Sequence, residues 1–312
     1  MSDTRTTVQD RHVAAGPVGN PVTRFIRRRP LTSWFIWAFT VGQALAFIPA
    51  IGALNGVEFL GRPLVHQSFI CAASVFGLAF PAFVITRIAE GPRALRAYWR
   101  SAFAVGVPLR WYAFVLVGVP VLTATLAVVL LGPPAPGATI GAALLNGLLL
   151  QTVLTFLPNN WWEEVAWMGF VQRRLQDRFG GAVVAALITG VLFALYHVSL
   201  VIGGGTAGAL LLGILLVTAL GFRMFMAWVF NRTGSLFLVG LLHAVGNGMA
   251  AGAGFGLGYG LVPTLYPDGG LVAVLIHLMT YSIIGVALLL ATRGRLGWRP
   301  RDTATPGFGE RS

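Results

Sequence analysis

The chain reads as a succession of long apolar runs separated by short polar, arginine-bearing segments. A helix rising about 1.5 Å per residue needs near 20 apolar residues to cross a hydrocarbon core about 30 Å thick. Runs of that kind lie near 33–54, 65–86, 111–132, 139–157, 182–201, 207–230, 235–253 and 271–292. The segment 158–178 has a helical pattern but carries charge, and Pro158 opens it, which predicts a kink there. The pattern leaves open whether this segment continues the preceding span or forms a re-entrant piece. Long continuous runs, without short alternating strands, predict an all-α polytopic transmembrane bundle of about eight spans and exclude a barrel.

Composition agrees. The 312 residues are 56% hydrophobic and 10% charged, against about 25% charged in soluble domains. All 22 basic residues are arginine, and the net charge is +12. The arginines sit at the ends of apolar runs and form no basic domain, which argues for membrane topology and against nucleic acid as a partner. An N-terminus on the inside would place there Arg24 to Arg29, Arg87 to Arg110, Arg173 to Arg178, Arg232 and Arg293 to Arg301, leaving only Arg62 outside. That asymmetry predicts both termini cytoplasmic, with arginine-rich polar tails at 1–32 and 293–312 flanking a bundle over 33–292. Arg5 and Arg311 belong to solvated tails. The first run is too long for a signal-peptide core and reads as a retained span. The single cysteine, Cys71, rules out an internal disulfide.

Ionisable groups inside a bilayer are costly and mark function by default. Here they are Glu163, Glu164, His197, Arg223, His243 and His277, with the amides Asn146, Asn159, Asn160 and Asn247. Counted from Arg173, Gly181 and Ser235 at the inner ends of their spans, Glu163 lies about 15 Å up its helix, His197 about 24 Å, His243 about 12 Å and Asn247 about 18 Å. Three helices thus bring a carboxylate, two imidazoles and an amide to overlapping depths. His243 and Asn247, four apart, share a face, as do Phe193 and His197. Adjacent Glu163 and Glu164 diverge by about 100°, so one faces the shared cavity and the other backs it. We take Glu163 as the former.

These residues resemble the CPBP intramembrane proteases, which include CAAX prenyl endopeptidases and Abi-type bacterial proteins. Three motifs carry the likeness over roughly 139–253: Glu163-Glu164 in Trp161-Trp162-Glu163-Glu164-Val165-Ala166-Trp167-Met168-Gly169, Phe193-x-x-x-His197, and His243-x-x-x-Asn247. One position departs. The family's arginine, four residues beyond the second glutamate, aligns with Met168. That leaves Glu164 without its usual partner, and raises either a compensating Arg223 from the sixth span or an inactive member of the family. Arg223 snorkelling to the interface is the plainer expectation.

The resemblance implies an intramembrane endopeptidase, a multi-pass protein of a bacterial cell membrane. Its substrate would be a membrane-associated or prenylated (CAAX-type) protein or peptide. Glu163 would be the general base, His197 would position the water, and His243 and Asn247 would donate to the carbonyl oxygen. No serine or cysteine nucleophile is evident. A divalent metal such as zinc is the alternative activator, with Glu163, His197 and His243 as ligands. Two other readings stay open: a catalytically inactive binding or immunity protein, and a proton-coupled membrane transporter, although the internal repeats of transporters are absent. The sequence assigns no oligomeric state.

Lesser features have plainer readings. Trp161, Trp162 and Trp167 are expected to pack or to form an interfacial belt rather than to line a substrate groove. Asn159 and Asn160 would cap the motif helix. His277 would be a packed, hydrogen-bonded histidine, and His66 interfacial. Gly248 and Gly252 suggest close helix packing, and Gly254 to Gly260 a flexible loop.

Overall fold

The computed structural model describes residues 20–134 and 137–300. The outer parts of both tails, with Arg5 and Arg311, lie outside the described residues. The described residues form helices and connecting loops. The principal helices, numbered in chain order, are α1 Pro21–Arg28, α2 Pro30–Leu54, α3 Pro63–Ala89, α4 Gly91–Ala102 and α5 Leu109–Leu131. They continue as α6 Ile140–Phe179, α7 Ala182–Tyr196, α8 Gly205–Thr233, α9 Leu236–Met249 and α10 Gly270–Ala291. Local chemistry sets their ends. Proline occupies the first turn of α1 to α4, where its missing N–H costs nothing. Ser235 caps α9, its Oγ accepting from the Leu238 amide at 3.0 Å. Gly180 and Gly234 close α6 and α8 in the left-handed conformation.

Six of these helices (α2, α3, α5, α6, α8 and α10) are long and apolar enough to cross a membrane. The stretches expected as spans at 182–201 and 235–253 are the shorter α7 and α9, of 15 and 14 residues. At about 22 and 21 Å they fall short of the hydrocarbon thickness. The apolar character of α9 has a different cause, since it is enclosed along most of its length, from Leu236 to Met249. It is hydrophobic because it is core, not because it faces lipid.

The segment 158–178 is neither separate nor re-entrant. It continues α6, a 40-residue helix. Pro158 falls in a π-helical turn, Phe156–Asn160, and a second, Val165–Gln172, follows the glutamate pair. Wide turns absorb the proline without ending the helix. Asn159 and Asn160 are therefore inside a continuous helix, and the expected cap is not formed.

α8 packs against α7 and α10, and α9 against α6. The α6–α9 crossing is tight: a Cβ on Gly240 would lie 2.8 Å from the Trp161 Cα. At one end of the bundle, hydrogen bonds join the arginine-bearing segments. Arg27 Nε donates to the Ile88 carbonyl at 3.3 Å, Arg174 pairs with Glu90, and Ser101 Oγ donates to the Gly234 carbonyl at 2.6 Å. Asn231 Nδ2 donates to the Leu296 carbonyl at 3.0 Å. Arginine-bearing segments far apart in sequence are thus joined to one another.

Candidate active site

The glutamate pair occupies a short α-helical turn of α6, Trp161–Glu164, between its two π-helical turns. Glu164 is fully enclosed. Arg223 of α8, with no exposed side-chain surface, donates from Nη1 to Glu164 Oε1 at 2.9 Å and Oε2 at 2.7 Å. His243 Nδ1 lies 2.8 Å from Glu164 Oε1. An ionised carboxylate only accepts, so Nδ1 carries the hydrogen and Nε2 is the ring's remaining polar atom. Arg223 therefore does not snorkel. It supplies from another helix the charge that Met168 cannot, and the expectation of an unpartnered Glu164 is overturned.

Glu163 differs in the way its geometry on the helix required. Its Oε1 lies 3.3 Å from Ser74 Oγ. Its Oε2 is buried without a hydrogen-bond partner, 3.7 Å from His243 Nδ1. Glu163 lines a cavity of ≈ 300 Å³, whereas Glu164 stands behind the wall. His197, His243 and Asn247 line the same cavity. His197 ends α7 instead of lying within a span, with its Nδ1 2.7 Å from the Phe193 carbonyl. That carbonyl also can only accept, so His197 too presents Nε2 as its free nitrogen. Asn247 Nδ2 donates to Asn160 Oδ1 at 3.0 Å, and the second amide hydrogen remains for another acceptor. Glu163, His197, His243 and Asn247 thus line one cavity, with Glu164 behind its wall.

Residues 145–249 match the family model described as Rce1-like, type II CAAX prenyl endopeptidase. The protein carries an Rce1-like domain of the CPBP/CAAX protease family. The domain implies a protease of the intramembrane CAAX type, embedded as an integral, multi-pass protein and acting on a membrane-associated protein. No curated protein and no solved structure matches the chain. The Rce1-like segment covers α7, α8, α9 and all but the first few residues of α6, and so contains the three motifs and Arg223.

Glu163, Glu164 and His243 offer ligand atoms that all lie within 4.8 Å of one another and could hold a metal ion. The geometry thus groups Glu164, rather than His197, with the other two expected ligands. The donor chemistry suits a cation: two carboxylates face one guanidinium, and Glu163 Oε2 is free. Glu164 is already engaged by Arg223, so Glu163 and His243 are the less encumbered donors.

Sequence reasoning missed part of the Rce1-like cavity. Ser74 of α3, outside the matched segment, has its Oγ 2.5 Å from Asn159 Oδ1 as well as near Glu163. A serine in an apolar run ordinarily bonds its own helix, as Ser74 also does with the Ile70 carbonyl at 3.1 Å, so no pattern marked it. Asn160, expected as a cap, instead steers Asn247. His277 packs into the cavity wall, and its Nδ1 is buried without a hydrogen-bond partner. The tryptophans do pack. Trp161 stacks on Phe156 and donates to the Ala102 carbonyl at 2.9 Å, and Trp167 meets Trp34 edge-on at 5.1 Å. Gly252 lies in a loop at φ +79, so it forms no helix stripe with Gly248.

Proposed function

We propose that the protein hydrolyses a peptide bond of a membrane-associated or CAAX-type substrate within this cavity, using water activated by Glu163. The observation that carries the reading is the unpartnered Glu163 Oε2, buried in a cavity that also holds two imidazoles with free Nε2 atoms and an amide with a spare N–H.

Each residue then has a role. Glu163 takes a proton from water as the water oxygen attacks the scissile carbonyl carbon. His197 Nε2 accepts the other water hydrogen and so aims the oxygen. The carbonyl oxygen gains negative charge and meets the free N–H of Asn247 and, in its imidazolium form, His243. As the tetrahedral intermediate collapses, the C–N bond breaks. Glu163 returns its proton to the leaving nitrogen, giving a free carboxylate and a free amine. Serine or cysteine attack is not needed.

A divalent metal would be held by Glu163 and His243, with Glu164 or His197 beside them, and would supply a Lewis acid that polarises the water. Both routes place the reaction on the same side chains.

The test is cleavage of prenylated and unmodified membrane peptides by the purified protein in detergent, followed by mass spectrometry. The reading requires cleavage by the wild type and loss of at least about 100-fold in Glu163→Gln and His197→Ala. Wild-type rates in either variant would refute it.

A further inference from the structure

The ion pair behind the cavity touches more of the site than its one partner. Arg223 reaches Glu164 through Nη1 alone, while Nε and Nη2 have no hydrogen-bond acceptor. The cation rests instead on aromatic faces, 3.8 Å above the Phe193 ring and 5.0 Å from that of Phe222. Phe193 in turn lies 4.3 Å from the His197 ring and 5.9 Å from the His243 ring, and Phe222 lies 5.1 Å from His243. Through one carboxylate and two rings, Arg223 is linked to both motif imidazoles without lining the cavity itself.

A buried ion pair seldom stabilises a fold more than well-packed apolar side chains would. Stability alone is therefore a weak reason for an arginine here, in the middle of an apolar helix. Control of a neighbour's hydrogen bonding is a better one. Glu164 Oε1 is shared between Arg223 and His243 Nδ1. Without Arg223 no donor would fix both carboxylate oxygens, and Glu164 could turn Oε1 away from His243 Nδ1.

We infer that Arg223 is a positioning residue: its bonds to both Glu164 oxygens fix the carboxylate against His243, which keeps Nδ1–H on Glu164 and reserves Nε2 for the cavity. The inference deepens the protease reading, on which its rate measurement rests; its spectroscopic measurement does not rest on it. Met168 provides the means of a relocation test. It is buried one helical turn beyond Glu164 on α6, so an arginine there starts from the same helix face.

The experiment compares wild type, Arg223→Met, Arg223→Lys and the double variant Met168→Arg/Arg223→Met in detergent. Three quantities are read: ¹⁵N resonances of labelled histidine, assigned with His243→Gln; melting temperature; and kcat and KM on a membrane peptide. Arg223→Met is expected to lose the Nδ1–H signature of His243 and to fall about 100-fold in kcat with KM little changed. The double variant regains the signature and most of kcat. Arg223→Lys, which keeps the charge but loses the planar stacking, falls between them, and it carries the test if Arg223→Met fails to fold. The inference is overturned if Arg223→Met or Arg223→Lys keeps the wild-type signature and kcat. It is also overturned if the double variant regains its melting temperature but neither signature nor rate, since Arg223 would then serve packing alone. A wild type that cleaves no peptide yet shows the signature shifts defeats the protease reading and leaves the positioning role standing.

Discussion

Replacing Gly240 by alanine tests whether the packing of two helices sets the chemistry. Gly240 sits where α9 crosses α6, three residues before His243, and it faces Trp161, two residues before Glu163. An added Cβ would lie 2.8 Å from the Trp161 Cα and 3.3 Å from its Cβ. Ordinary carbon contacts lie near 3.5–4.0 Å, so relief demands about 1 Å of separation. The obstacle is main chain, which cannot rotate away. Overpacking of this kind costs about 1–3 kcal/mol. The larger effect falls on the site, because the same displacement draws His243 from Glu164 and Asn247 from Asn160. A misplacement of about 1 Å costs on the order of 100-fold in rate. The assay is kcat on a membrane peptide beside a melting curve in detergent. Gly213→Ala on α8 is the control, since its Cβ would meet nothing within 4 Å. That variant should keep its activity and gain up to about 1 kcal/mol from helix propensity. A Gly240→Ala protein with wild-type rate and melting temperature would refute the reasoning.

Further outcomes follow from the same contacts. Ser74→Ala removes the hydroxyl between Asn159 and Glu163; kcat should fall about tenfold, the worth of one buried hydrogen bond, with the fold intact by circular dichroism. Asn160→Ala frees the Asn247 amide to turn, so kcat should fall by a similar factor with KM unchanged. Trp34→Ala empties a fully buried site against Trp167 and Phe170 and strands the Leu78 carbonyl; it should cost about 3–5 kcal/mol in a denaturation series, with little change in kcat for the protein that remains folded.

The helical class and the site's membership were legible because both rest on patterns the chain must carry. A bilayer demands long apolar runs, and buried charge is rare enough there that Glu163, Glu164, His197, Arg223 and His243 stand out one by one. The angle between adjacent helical residues implied that only one of Glu163 and Glu164 faces the cavity, without deciding which. What stayed hidden depends on packing between helices. Apolar composition cannot tell a core helix such as α9 from a lipid-facing one. Pro158 marked a perturbation, but only the neighbouring structure decides whether a helix breaks or widens into a π-helical turn. Ser74 and Asn160 have ordinary local roles available to them, and their contacts come from residues 85 and 87 positions away. Arg223 could be named as a compensating charge for Glu164, yet its place on the Phe193 face has no counterpart in the sequence.

The central claim is that Glu163 draws a proton from water that then enters the product. Cleavage in ¹⁸O-enriched water measures this directly, with wild type and Glu163→Gln compared on one membrane-anchored peptide and the fragments weighed by mass spectrometry. The account requires a single ¹⁸O in the new carboxylate of the N-terminal fragment from wild type, and no fragment above background from Glu163→Gln. Equal cleavage by both proteins, or fragments without the label, would contradict it.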